Sequence, residues 1–210
     1  MTVTSRVTVI WRRKFHGGKS MSTKTKYLQS TGEFFHIYNR GVDRNKIFFD
    51  DRNFRYFQQR ISASLDPSSI EINAYCLMPN HFHFIVRQLT HSAISGFMRS
   101  VCDGYAKAIN KERSRSAHLF ESKYKMKQIE SDIYLVHLSR YIHLNPVRAG
   151  LVCLPQEWRH SSYQVYYGVR GDPMVSTQAV PEQLGSSEDY RKFVEEYLPE
   201  DRRRINNLLF

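Results

Sequence analysis

The hydrophobic pattern between residues 33 and 146 switches repeatedly between the period of a strand and the period of a helix. Aromatic and β-branched runs of strand length occupy 34–38, 70–78, 81–86 and 124–129. Apolar residues at intervals of three and four, which are typical of amphipathic helices, occupy 51–65, 92–111 and 132–145. The predicted order is therefore β-α-β-β-α-β, followed by a further helix.

This order predicts an α+β fold, a ferredoxin-like antiparallel sheet with helices on one face plus C-terminal helices. We expect the second face of the sheet to be open, so that its polar and basic side chains could receive a nucleic-acid strand. The chain then divides into a basic arm over 1–30, a main domain over 31–150, and a C-terminal extension over 151–210 packed on the same domain.

Basic residues outnumber acidic ones, 31 to 20, and the net charge of +11 favours nucleic acid as a partner. Part of the excess lies in residues 1–30, which contain seven basic residues and no acid, and Met21 is an alternative start of the chain. No apolar run approaches the ~20 residues that cross a bilayer, so no membrane contact is expected. Three widely spaced cysteines predict reduced core thiols in a cytoplasmic protein.

Histidine and phenylalanine alternate at the start of the third predicted strand. In a strand, His81 and His83 share one face while Phe82 and Phe84 lie on the other. Imidazoles at positions i and i+2 can bind a single metal ion, although two such histidines can also simply form hydrogen bonds. The pair therefore needs a third chemical group to define a site.

Tyr105 is the candidate for that third group. It lies on the apolar stripe of the helix over 92–111, so its ring is expected to point toward the sheet. A buried phenol needs a polar partner, and the histidines on the sheet could lie near its hydroxyl. The alternative is a tyrosine that only packs in the core.

Five segments together resemble the HUH single-tyrosine transposases, and within them the REP-associated tyrosine transposases. They are 35–41 (FHIYNRG), 74–83 (AYCLMPNHFH), 105–110 (YAKAIN), 140–150 (RYIHLNPVRAG) and 158–163 (WRHSSY). The resemblance covers roughly residues 33–170, and its specificity rests on the second and fourth segments taken together.

The resemblance implies a metal-dependent endonuclease and strand transferase that acts on single-stranded or hairpin DNA. His81 and His83 would bind Mg²⁺ or Mn²⁺, and Tyr105 would form a 5′-phosphotyrosine bond and release a 3′-hydroxyl. Imidazole pairs alone favour zinc, so additional oxygen ligands would be required for either of these metals. The resemblance is compatible with a monomer or a homodimer.

The third metal ligand departs from the pattern of this family, which commonly has Gln or Asn one turn after the nucleophile. Ile109 occupies that position after Tyr105, so Asn110, one residue later, is the candidate ligand. Asn110 could equally cap the end of its helix. Tyr124 is the alternative nucleophile, although a strand tyrosine among lysines also suits stacking on a base.

The residues expected to contact DNA are mostly basic. Lys123, Lys125 and Lys127 share one face of the fourth predicted strand, which is either a phosphate-binding stripe or a solvated face. The complete set is Asn39, Arg40, Lys107, Lys123, Lys125, Lys127 and Arg148.

Two other functions are alternatives to the nuclease. A catalytically silent nucleic-acid-binding module on the same fold would need only the basic and aromatic residues. A phosphoesterase that activates water would need carboxylate-rich ligands, which do not follow His83. The combination of His81, His83 and Tyr105 favours the nuclease.

Overall fold

Four antiparallel strands form a single sheet in the order β2-β3-β1-β4. The strands are β1 (Glu33–Arg40), β2 (Ile70–Met78), β3 (His81–Gln88) and β4 (Lys125–Ile129). The computed structural model describes Tyr27 and residues 30–196, so most of the predicted basic arm and the alternative start at Met21 lie outside the described residues. Strand order and connections confirm the predicted ferredoxin-like fold.

Within the described residues, three longer α-helices accompany the sheet, together with two shorter α-helices in the C-terminal segment. They are α1 (Asp51–Ser64), α2 (Ala93–Glu112), α3 (Asp132–Arg148), α4 (Tyr163–Tyr166) and α5 (Ser187–Glu195). The side chain of Asp50 accepts a hydrogen bond from the N–H of Asn53 at the start of α1, and Ser131 accepts one from Tyr134 at the start of α3.

Helix α3 continues past the point where the sequence predicts that it ends. Pro146 lies inside the helix, in its last turn, and the helix extends to Arg148. A proline there removes one backbone donor, a cost that tertiary packing can offset, and Pro146 is buried. Arg148 is therefore held on the same rigid element as Tyr141.

Each face of the sheet is covered by helices. Helices α1 and α2 pack on one face, against side chains that include Phe35, Phe82 and Phe84. The second face carries Cys76 and Ile85, which pack with residues of α3, α4 and α5. The prediction of an open second face is therefore wrong, because that face also carries apolar side chains that need cover.

The C-terminal segment is attached to α3 through a buried histidine. Nδ1 of His143 lies 2.7 Å from the hydroxyl of Tyr190, and its Nε2 lies 2.8 Å from Oγ of Ser162. Tyr163, Tyr166 and Tyr190 extend this contact into the second core. Residues 151–196 thus help to position α3 on the sheet.

Two further features concern the helices and the cysteines of the described residues. No helix among them has both the length and the apolar character required to cross a membrane. All three cysteines are free thiols, but Cys153 is exposed, so the prediction of three core cysteines holds only for Cys76 and Cys102.

Candidate active site

His81 and His83 lie side by side on β3, on the face that α3 covers. Their ring centroids are 5.1 Å apart, and His83 is 8% exposed. Phe82, between them, points into the core on the opposite face. Burial lowers the pKa of His81 to about 4 and the pKa of His83 well below its ordinary value of 6.5, so both imidazoles are neutral and able to bind a metal.

Tyr105 lies on the opposite side of the sheet from the histidines. Its side chain is fully buried among Phe48 and Phe57, and its hydroxyl donates a 2.6 Å hydrogen bond to the carbonyl of Ile47. Burial raises its pKa above the ordinary value for a phenol. The predicted grouping of Tyr105 with the histidines is therefore wrong, and no strand bound on the histidine face could reach this hydroxyl.

The alternation of side chains along β3 explains why Tyr105 and the histidines lie on opposite faces of the sheet. Helix α2 packs on the face that carries Phe82 and Phe84, so the side chains of its apolar stripe, Tyr105 among them, lie on that side. Asn110, also on α2, donates from Nδ2 to the carbonyl of Ala117 over 3.0 Å and is not brought to the histidines. Tyr124 likewise lies on this side, with its hydroxyl 3.2 Å from Oγ of Ser95.

Tyr141 on α3 is the tyrosine that the structure places beside the histidines. Its ring lies 5.8 Å from the ring of His83, measured between centroids, with the two planes nearly perpendicular at 82°. The guanidinium carbon of Arg148 lies 4.9 Å from the centroid of the Tyr141 ring. Burial raises the pKa of Tyr141 above 10.0, while the charge of Arg148 lowers it. Sequence reasoning missed Tyr141 as a candidate.

Asn145 follows Tyr141 by one turn and is buried on the same helix. Its Nδ2 donates to the backbone carbonyl of Tyr141 over 3.0 Å, which leaves the amide oxygen as the unused end of the side chain. The sequence contained this signal, because an Asn one turn after a tyrosine is the arrangement that the family resemblance predicts and that Tyr105 lacks.

The direction of α3 carries Asn145 toward the start of β3. In the first turn of α3, the ring of Tyr134 lies 5.5 Å from Nζ of Lys127, in the middle of β4. Tyr141, two turns later, lies beside His83. The next turn, which carries Asn145, therefore continues toward the first residue of β3.

The donor atoms at this site are two imidazole nitrogens and one amide oxygen. Within the described part of the chain, no group of three or more His, Cys, Asp or Glu residues could hold a metal ion. The amide oxygen of Asn145 would supply the additional hard ligand that an imidazole pair lacks, and a DNA phosphate would supply further oxygens. The residues present fit Mg²⁺ or Mn²⁺ better than the histidine pair alone does.

Comparison with known proteins identifies the family. The model of the family described as "Transposase IS200 like" matches residues 31–145, more than half of the 210-residue chain. The chain belongs to the IS200-like transposases. It is therefore an enzyme of the transposase and DNA-nicking type. No curated protein matches it.

A solved structure with a TM-score above 0.5 has the same fold as this IS200-like transposase. A REP-associated tyrosine transposase bound to a REP hairpin is 17% identical, with a TM-score of 0.57 over 70% of this chain and 93% of that one. A candidate transposase of Deinococcus radiodurans R1 is 14% identical, with a TM-score of 0.39 over 52% of this chain and 87% of that one.

The basic residues expected to contact DNA are divided between the two faces of this transposase. Lys125 and Lys127 are exposed on β4, where their cross-strand neighbours Tyr38 and His36 belong to the histidine face. Nζ of Lys125 lies 5.9 Å from the centroid of the Tyr38 ring. Together with Arg148, these lysines border the site.

The other expected DNA contacts lie elsewhere or are already engaged. Nδ2 of Asn39 donates to the carbonyl of Ser122 over 3.0 Å, and Lys107 is exposed on α2, across the sheet from the histidines. Arg40 forms an ion pair with Glu121. Lys123 precedes β4 and lines a cavity of about 1010 Å³ between α2 and residues 118–124. The structure does not bring Asn39, Lys107 or Lys123 to the histidines. Arg40, by contrast, is the cross-strand neighbour of His81, and its charge helps to lower the pKa of that histidine.

Proposed function

We propose that this transposase cuts and rejoins single-stranded DNA through a covalent bond to Tyr141. His81, His83 and Asn145 are the proposed ligands of Mg²⁺ or Mn²⁺. The observation that carries the proposal is the position of Tyr141, whose ring faces that of His83 at 5.8 Å while Asn145 follows one turn later. In this proposal all four residues belong to the same copy of the chain.

The proposed reaction exchanges one phosphodiester bond for another. The hydroxyl oxygen of Tyr141 attacks the phosphorus and loses its proton, while the bond to the 3′ oxygen breaks and that oxygen leaves as a hydroxyl. Attack by a different 3′-hydroxyl on the phosphotyrosine reverses the exchange and frees Tyr141. A divalent cation bound by the three ligands would neutralise charge that develops on the phosphate. Because bond energy is kept in the ester, rejoining needs no ATP.

Arg148 is positioned to assist the attack. Its guanidinium lies against the Tyr141 ring, and its Nη1 is buried without a hydrogen-bond partner in the described part of the protein. A buried donor that lacks a partner is costly, and a phosphate oxygen would satisfy it. The positive charge also favours the ionised form of the phenol.

Replacement of Arg148 by glutamine is expected to slow single-turnover cleavage by about 10- to 100-fold, because both the phosphate contact and the stabilisation of the phenolate are lost. Arg148→Lys restores the charge without the planar guanidinium and is expected to recover part of the rate. Quench assays on labelled hairpin DNA measure this rate. Equal cleavage rates in the wild type and Arg148→Gln would show that Arg148 does not assist the reaction.

The rate of cleavage is expected to rise with pH, by roughly tenfold per unit where loss of one proton from Tyr141 controls it. Burial raises the pKa of this phenol above 10.0, so only a small fraction is ionised near neutral pH and the rise continues to the alkaline limit of protein stability. Single-turnover rates between pH 6 and pH 9 test this, because the pKa of the phenol lies above that whole range. A rate that falls across that range would contradict the assignment.

The proposed substrate is single-stranded DNA that contains a hairpin. One solved structure of the same fold is a REP-associated tyrosine transposase bound to a REP hairpin. Lys125, Lys127 and Arg148 border the proposed site with positive charge, which suits the phosphates of a strand that enters it.

Incubation of labelled hairpin DNA with the full chain and Mn²⁺ tests the proposal. The expected product is a protein–DNA adduct that survives denaturation, together with a released strand that ends in a 3′-hydroxyl. The second candidate function is a silent binding module on the same fold. Retained DNA binding without any adduct, across a pool of hairpin sequences, would favour that module.

A further inference from the structure

In each of the two histidines, one ring nitrogen already has a partner. Nδ1 of His81 lies 2.6 Å from Oδ1 of Asn80, and Nδ1 of His83 lies 2.9 Å from Nε2 of His36. The two partners come from different elements, the turn between β2 and β3 and the middle of β1. In both rings the Nε2 atom is therefore the one left for another ligand.

We propose that Asn80 and His36 are positioning residues that fix the tautomer and orientation of His81 and His83, so that each offers Nε2 to the metal. The inference rests on the proposed function, because it takes these histidines as ligands. Partners of this kind hold the ring of a metal-binding histidine and increase its basicity.

The hydrogen bonds of Asn80 determine which way its amide faces. Its Nδ2 lies 3.1 Å from the backbone carbonyl of Arg44, which can only accept a hydrogen bond. The amide oxygen must therefore face His81, and that oxygen can also only accept. It follows that Nδ1 of His81 carries the proton and that Nε2 has a free lone pair.

The turn that contains Asn80 is braced by the segment between β1 and α1. The N–H of Gly41 donates to the carbonyl of Asn80 over 2.9 Å, and the N–H groups of Ile47 and Phe48 donate to the carbonyl of Pro79 over 2.8 Å and 3.0 Å. A Cβ atom at Gly41 would lie 2.1 Å from the carbonyl oxygen of Asn45, so only glycine fits there. These three hydrogen bonds hold Asn80 in one defined position.

The backbone of this segment is strained at the residue that contacts Asn80. Arg44 has a φ of 58°, in the left-handed region that residues other than glycine rarely adopt. This conformation is found at the residue whose carbonyl orients the Asn80 amide. A strained backbone persists only where the surrounding structure holds it, which agrees with a segment that fixes the position of Asn80.

His36 supports His83 by both stacking and hydrogen bonding. It is 3% exposed, and its ring lies 5.1 Å from that of His83 at an interplanar angle of 18°. For His83 to offer Nε2 to a metal, its Nδ1 must carry a proton and donate to Nε2 of His36. His36 then keeps its own proton on Nδ1.

The tautomer of His81 is directly measurable in the metal-free full-length chain. Long-range ¹H–¹⁵N spectra of histidine-labelled protein distinguish a protonated Nδ1 from a protonated Nε2, and His81→Gln identifies the signal. We expect the Nδ1–H form in the wild type and a mixture of forms in Asn80→Ala. A predominant Nε2–H form in the wild type would overturn the proposal, even if Asn80→Ala does not fold.

Binding of Mn²⁺ to the DNA-free chain, followed by electron paramagnetic resonance of the free ion, gives the second readout. Asn80→Ala is expected to weaken binding by about 10- to 100-fold, and Asn80→Asp, which keeps an acceptor, is expected to weaken it less. Asn110→Ala is the matched control and should bind as the wild type does. Thermal melting verifies that each variant is folded.

His36→Leu and His36→Gln apply the same test to His83. Leucine removes the polar partner, whereas glutamine can keep an acceptor close to the position of Nε2, so we expect weakened Mn²⁺ binding that is largely recovered in His36→Gln. Folded variants of Asn80 and His36 that bind Mn²⁺ like the wild type would overturn the proposal. A wild-type chain that binds no Mn²⁺ would instead contradict the proposed function, and the tautomer measurement would still decide the role of Asn80.

Discussion

Replacement of Tyr141 by phenylalanine is expected to abolish the covalent adduct and to reduce cleavage by at least roughly 10⁴-fold, since the nucleophile itself is removed. The ring remains, so packing against His83 and Arg148 is retained and the variant should bind hairpin DNA with nearly unchanged affinity. Denaturing gels measure the adduct, and a mobility shift at fixed salt concentration measures binding.

Tyr105→Phe is the matched control for this variant. It removes the hydroxyl that donates to the carbonyl of Ile47, so it should lower the free energy of unfolding by about 1–2 kcal/mol and leave cleavage intact at a temperature where the protein is folded. The reverse pattern, with an active Tyr141→Phe and an inactive but folded Tyr105→Phe, would contradict the account.

The second large effect is expected from His83→Ala, which removes a proposed metal ligand that is 8% exposed and faces Tyr141. Cleavage should fall by about 10²- to 10³-fold or more, because the charge on the phosphate is no longer neutralised. Binding of hairpin DNA through the basic residues should persist. The measurements are single-turnover cleavage and Mn²⁺ affinity on the same preparations.

His91→Ala supplies the control for the loss of a histidine, because His91 is exposed in the turn before α2 and lies outside the site. It should match the wild type in cleavage, in Mn²⁺ affinity and in melting temperature. A folded His83→Ala that cleaves as fast as His91→Ala would show that His83 does not hold a metal needed for the reaction.

The sheet was predictable from sequence because its signals are local. Strand and helix periods locate the four strands and the helices, and their order leaves few possible connections. The cover on the second face was not predictable in the same way. It depends on contacts between α3 and distant residues such as Tyr163 and Tyr190, which no local pattern indicates.

The histidine pair was predictable for the same local reason, whereas the nucleophile was not chosen correctly. An apolar stripe shows that a helix packs on a sheet but does not show which face it covers. Here the face that carries Phe82 and Phe84 packs against α2, so Tyr105 and the histidines are separated by the sheet. The spacing of Tyr141 and Asn145 was visible in the sequence, but it gained meaning only once α3 was placed beside His83.

Asn80 and His36 illustrate a further limit. Asn80 directly precedes His81 in sequence, yet its role depends on the carbonyl of Arg44, 36 positions away in the chain. His36 lies 47 positions from His83 and meets it only because β1 and β3 are adjacent in the sheet. Such partners depend on strand register, which the sequence pattern alone does not determine.

Mass spectrometry of the covalent adduct tests the central claim most directly. Wild-type protein is incubated with hairpin DNA and Mn²⁺, the DNA is trimmed by nuclease, and the protein is digested with trypsin. Cleavage after Arg140 and Arg148 yields residues 141–148, whereas Tyr105 lies in the peptide over 100–107. A nucleotide attached to Tyr141 in the first peptide is the predicted result, and a nucleotide on Tyr105, or on any other tyrosine, would contradict it.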